Sequence, residues 1–111
     1  MTVPRSSVFL FDVSEDDNLT LPLEKQHLDV IGVQIPSAFT GTSIGLQGSL
    51  DGTTYCPIYW EGTILAITVA ASRLVMFAER YTSGIPWLKM TSNGSEAADR
   101  TVIPVFWDFT K

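Results

Sequence analysis

The chain has 111 residues, of which 45% are hydrophobic and only 17% charged, and its net charge is −5. That length holds one domain that buries roughly 65% of its unfolded surface, and the composition excludes a disordered chain. The seven Lys and Arg are scattered singly and six of the twelve acids precede Val30, so neither nucleic acid nor an anionic membrane is an expected partner.

Met1 to Ser7 is polar, contains Val3 and Pro4, and reads as a short N-terminal arm. Val8 to Val13 is apolar at nearly every position, the pattern of a strand covered on both faces. Glu15-Asp16-Asp17-Asn18 reads as a turn whose side chains bond their own backbone. Leu19 to Leu23 alternates like a short edge strand, and Glu24 to His27 is a loop or one helical turn. Leu28 to Ile35 is a strand with Ile31, Val33 and Ile35 inward, closed by Pro36. Ser37 to Ser43 is a loop of turn formers.

Ile44 to Trp60 gives the strongest local signal. Ile44, Leu46, Gly48 and Leu50 fall on one face of a strand, Asp51-Gly52 is a hairpin pair tolerant of positive φ, and Thr53, Thr54 and Tyr55 begin the return strand. Pro57 lacks a backbone donor, so this return strand is expected at a sheet edge or a bulge. After Glu61-Gly62 come strands over Ile64 to Val69, Arg73 to Phe77, Trp87 to Thr91 and Arg100 to Trp107. Ala78 to Gly84 is irregular, and Glu96 to Asp99 has room for one helical turn. Phe106 and Trp107 are neighbours on one strand and point to opposite faces, so one of them is expected against a partner chain or a terminal tail. Asp108 to Lys111 forms a short C-terminal arm carrying Phe109. About nine short strands separated by regular turn signals predict an all-β fold, a two-sheet antiparallel sandwich of jelly-roll-like design spanning residues 1–111.

Chemistry-bearing residues are sparse. The one histidine, His27, lies in a polar turn, and the one cysteine, Cys56, lies in an apolar strand and reads as a small buried residue. Neither has a sequence neighbour suited to nucleophilic catalysis, so no catalytic residue, no cofactor and no enzyme activity is expected. Glu15, Asp16 and Asp17 lack the spacing and glycine of a calcium loop, so no metal site is expected. Asn18-Leu-Thr20 and Asn93-Gly-Ser95 match the glycosylation sequon. The N-terminal residues lack a basic segment followed by an apolar run, so both are read as chance matches. A single cysteine permits no intrachain disulfide. The charged content is low beside the roughly 25% usual in globular domains, which leaves neutral or apolar surface for a partner.

Several segments resemble a group of virion proteins of tailed bacteriophages: Val33-Gln-Ile-Pro-Ser-Ala-Phe-Thr-Gly41, Leu46-Gln-Gly-Ser-Leu-Asp-Gly-Thr-Thr-Tyr55, Ile67-Thr-Val-Ala-Ala-Ser-Arg73, Trp87-Leu-Lys-Met-Thr-Ser92 and Ala97-Ala-Asp-Arg-Thr101. The resemblance covers roughly residues 30–105. It implies a small β-sandwich structural protein, foremost a capsid decoration or cement protein that binds and stabilises the major capsid protein shell as a homo-oligomer. A neck or tail connector is the alternative, and the group offers no catalytic residues to carry over. The Ser49-x-Asp-Gly-Thr-x-Tyr55 stretch is also similar to galactose-binding-like jelly rolls, which keeps a carbohydrate-binding module of a tail fibre open as a further alternative. These implications place the protein in the phage particle, made in the host cytoplasm. The residues expected at an interface are Val3, Pro4, Phe106, Trp107 and Phe109.

Overall fold

A computed structural model describes residues 8–25 and 28–107. The strands are β1 Phe9–Phe11, β2 Leu23–Glu24, β3 Asp29–Gln34, β4 Ser43–Ser49, β5 Cys56–Pro57, β6 Tyr59–Trp60, β7 Thr63–Ile64, β8 Ile67–Thr68, β9 Leu74–Met76, β10 Trp87–Ser92 and β11 Arg100–Trp107. A single 3₁₀ turn, Glu79–Tyr81, follows β9. The expected all-β sandwich is what forms.

Its connectivity is that of one long hairpin rolled on itself. Early strands pair antiparallel with late ones in reverse order: β1 with β11, β2 with β10, β3 with β9, and β4 with β5 and β8. Rolling then joins β11 to β3 and β10 to β4. The result is a four-stranded sheet, β1-β11-β3-β9, facing a five-stranded one, β2-β10-β4-β5, with β8 beside β5 on the same edge of β4. This nested pairing is jelly-roll topology.

Among the described residues eleven strands appear where about nine are expected, because two expected strands each break in two. The edge partner of β4 runs through Cys56 and Pro57 and resumes at Ile67. Between them Tyr59 to Ile64 leaves the sheet as the hairpin β6–β7. Glu61 (φ 50°) and Gly62 (φ 82°) form its two-residue turn, and consecutive positive φ values match the right-handed twist of the flanking strands. Trp60 anchors this hairpin, its ring 5.4 Å from Tyr81 in edge contact and 5.5 Å from the Arg80 guanidinium.

The core lies between the sheets. Phe9, Phe11, Val30, Val33 and Val102 from the four-stranded sheet meet Leu23, Ile44, Leu46, Leu88 and Met90 from the other. Each such side chain contributes about 1.5–3 kcal/mol by leaving water. In β3 it is Val30, not Ile31, that is fully buried. The β3–β11 register skips between Val105 and Phe106, pairing Val105 with Gly32 and Phe106 with Val30, so Ile31 is passed over and only partly buried.

Several buried polar groups are matched across the sandwich. Thr82 Oγ1 accepts from Val30 N (3.0 Å) and donates to Val30 O (3.1 Å), acting as a short ladder rung. Thr20 Oγ1 accepts from Met90 N at 2.8 Å. The helical turn expected at Glu96 to Asp99 does not form. Glu96 is instead buried, accepting from Thr40 Oγ1 (2.7 Å) and Arg100 Nε (3.1 Å), and so ties the loop before β4 to the loop before β11. Asn93 likewise accepts from Thr42 N and Ser43 N, which gives this sequon asparagine a structural task.

Candidate interaction surface

The surface is built on β11. Val102, Pro104 and Phe106 point inward by simple alternation, and the bulge at Ile31 of β3 sets Phe106 opposite Val30. Phe106 packs on the core while Trp107 faces out and is 53% exposed. The pair thus splits between the two faces, as neighbours on a strand must. Val3, Pro4 and Phe109 lie outside the described residues.

Trp107 belongs to a larger apolar face that the sequence reading missed. Two cross-strand rows run over the outside of the four-stranded sheet: Ile103–Gln34–Leu74 and Val105–Gly32–Met76. Leu74 is 63% exposed, Met76 53% and Ile103 47%. No charged side chain falls in either row. Gly32 is required here, because a Cβ at that position would run into the Met76 sulfur and the Val75 carbonyl. The signal in the sequence was the Leu74-Val-Met-Phe77 run, apolar at consecutive positions and so on both faces.

The Ser49 to Tyr55 stretch behaves differently. Gly48 pairs with Cys56, so Asp51-Gly52 lies in a long loop and not in a two-residue turn. Ser49, paired with Trp87 on the outer face, is nonetheless buried, and Leu50, past the end of β4, is 77% exposed instead of inward. Ser49 is covered by its own loop: its hydroxyl accepts from Gly52 N (2.9 Å) and donates to Asp51 Oδ1 (2.9 Å). Asp51 Oδ1 also accepts from Thr53 N and Thr54 N at 2.8 and 2.9 Å. These bonds, that from Thr54 foremost, hold the carboxyl below its usual pKa. The loop folds back over the five-stranded sheet: Gly52 lies on the Trp87 ring, and the Lys89 ammonium sits 4.5 Å from the Tyr55 ring centre. Burial, then the Asp51 charge, push the Tyr55 hydroxyl up in pKa, and that hydroxyl has no hydrogen-bond partner among the described residues.

Cys56 is exposed, contrary to the buried position expected of it. It ends the inward row Leu88–Gly48–Cys56 on edge strand β5, at the rim where the core no longer covers it, and helps line an open cavity of about 410 Å³ with Asp51 and Thr54. His27 lies outside the described residues. In the acidic turn, Asp12 Oδ1 accepts from Ser14 and Asp16 Oδ1 from Asn18 N. Among the described residues no three His, Cys, Asp or Glu side chains cluster as a metal site would require. No described helix is long and apolar enough to cross a membrane.

No family model matches the chain, and no solved structure matches it. Over 101 residues, 90% of the chain, it is 26% identical to the acyltransferase clz18 of Cochliobolus lunatus. The chain spans only 22% of the length of that relative.

Proposed function

We propose that this chain is a non-enzymatic virion structural protein, a capsid decoration protein that seats on the shell of a tailed bacteriophage and holds neighbouring major capsid subunits together. The observation that carries the reading is the apolar outer face of the four-stranded sheet, whose two central rows carry no charge and on which Leu74, Met76, Ile103 and Trp107 are each about half or more exposed, Asp29 opposite Trp107 being buried. Exposed apolar patches of this kind mark contact sites. Completing the burial of such a side chain gains about 1 kcal/mol, half of the value for full transfer. Four of them reach only the low end of the cost of association, about 4–15 kcal/mol. A single copy would therefore hold weakly, and firm attachment needs several copies engaged together on a repeating lattice.

Sugar binding at the Ser49–Tyr55 loop has less support, because Asp51 Oδ1 is committed to three donors and the Tyr55 ring is covered by Lys89. A neck or tail connector would use the same apolar chemistry at a different place in the particle. The test is to add the purified protein to expanded shells that lack it. Co-sedimentation and greater heat resistance of the shells are expected, both lost in Ile103→Lys. A protein that neither sediments with shells nor changes their heat resistance overturns the reading.

A further inference from the structure

The sheet edges are unequally protected. The outer edge of β1 is occupied, since Leu21 N donates to Leu10 O at 2.9 Å. On the far side of the five-stranded sheet, β5 carries Pro57, and the hairpin β6–β7 interrupts the strand before β8. Strand β2 is only Leu23–Glu24. Prolines, interruptions and shortness are the usual ways of blunting an edge.

Among the described residues, nothing protects strand β9 beyond its own brevity. Ile35 N bonds Arg73 O and Phe77 N bonds Ile31 O, so residues 73 and 77, and by alternation Val75, direct their backbone groups at β3. The N–H and C=O groups of Leu74 and Met76 therefore point away from the sheet. The β3–β9 register is unbroken, and residues 74–78 contain neither proline nor charge.

We propose that a second copy of this chain pairs antiparallel with β9 across a two-fold axis at Val75, merging two four-stranded sheets into one continuous sheet. A two-fold contact must read the same from both sides. The register centred on Val75 does so: Leu74 of each copy lies opposite Met76 of the other, and these are the residues whose bonding groups face outward. Two chains of net charge −5 repel overall, yet residues 69–78 contain no acid and one base, Arg73. In this register each Arg73 lies opposite Phe77 of the other copy. The two guanidinium-bearing residues are then four steps apart, about 13 Å at roughly 3.3 Å per residue. That exceeds the screening length of about 8 Å at physiological salt. The apolar rows Ile103–Gln34–Leu74 and Val105–Gly32–Met76 continue across the axis, joining two outer faces into one. A three-residue edge is small beside a standard interface of about 1,200–2,000 Å², so the dimer is reversible and concentration-dependent. The inference goes beyond the decoration role and does not need a shell.

Sedimentation velocity of the whole chain over a wide concentration range tests it, with thermal melts confirming that each variant folds. Wild type is expected to shift from monomer to dimer. Leu74→Lys with Met76→Lys sets ammonium groups opposite one another and should abolish the dimer. Leu74→Lys with Met76→Glu sets ammonium opposite carboxylate at both pairs and should restore it, in a salt-sensitive form. A wild type that stays monomeric, a dimer indifferent to the like-charge variant, or a lack of rescue by the opposite-charge variant overturns the proposal. Shell binding is scored separately: a monomer that still binds shells overturns the dimer alone, and a dimer that ignores shells overturns only the decoration role.

Discussion

The two sheets of this sandwich treat their outer faces in opposite ways. The five-stranded sheet covers itself: the Ser49–Tyr55 loop folds back so that Gly52 lies on Trp87 and Tyr55 meets Lys89. The four-stranded sheet leaves Leu74, Met76, Ile103 and Trp107 outside. Both sheets bury equivalent inner faces, so the fold itself accounts for neither difference. What differs is that, among the described residues, a loop folds over the one outer face while Leu74, Met76 and Ile103 stay exposed on the other. The asymmetry is what makes the outer face of the four-stranded sheet the proposed contact surface.

The largest expected effect breaks what the sheets share. Phe9→Ala empties a fully buried site between them and should cost about 3–5 kcal/mol in urea unfolding. If it costs under about 1 kcal/mol, the two sheets do not share one core. Next, Gly52→Ala strikes the cover of the five-stranded sheet. Gly52 has φ +80°, and an added Cβ would lie 3.1 Å from the Trp87 ring. A loss of about 1–2 kcal/mol is expected, read as a lower urea midpoint at unchanged slope.

A smaller effect probes the joint between the sheets. Lys25 follows β2, and its ammonium donates to Leu28 O at 2.6 Å with Asp29 Oδ1, on β3, 3.8 Å away. Burial holds its pKa below the ordinary 10.5, against the pull of Asp29. In the window between the lowered folded value and 10.5 the unfolded chain binds more protons, so stability rises with pH. Below that window the penalty is present in full. Lys25→Met should flatten the rise, visible as the difference between the two chains across a pH series of urea melts.

The smallest effect on stability sharpens the contrast most. Ile103→Lys on the uncovered face should change unfolding free energy by no more than about 0.5 kcal/mol while abolishing shell binding. A large loss of stability would mean that Ile103 is already part of the monomer's packing, and the two outer faces would then be alike.

Much of this architecture was legible in the residues. The strand read over Trp87 to Thr91 forms and runs one residue further, and the bounds of Arg100 to Trp107 appear as read, because each strand is long enough for its pattern to dominate. Asp51-Gly52 misled, and Glu61-Gly62 forms the two-residue hairpin instead. The local preference of Asp-Gly was satisfied by side-chain bonds from Ser49, Thr53 and Thr54, while distant partners, Trp87 and Lys89, decided where the loop would lie. Cys56 misled for a related reason: an apolar neighbourhood in sequence does not say which strand ends a sheet. The apolar outer face was hidden because Leu74, Val75 and Met76 read identically until register assigns Val75 to the core side and its neighbours to the other.

The place of β11 between β1 and β3 has a consequence for how the chain is made. Arg100–Trp107 is synthesised after both of its neighbours, so on the ribosome those two strands wait without their shared partner. Sheet completion must be late and non-local, which slows folding and leaves strand edges open in the meantime. Nascent chains stalled before Arg100 should accordingly be protease-sensitive along their whole length, and protection should arrive in one step once Trp107 has cleared the exit tunnel.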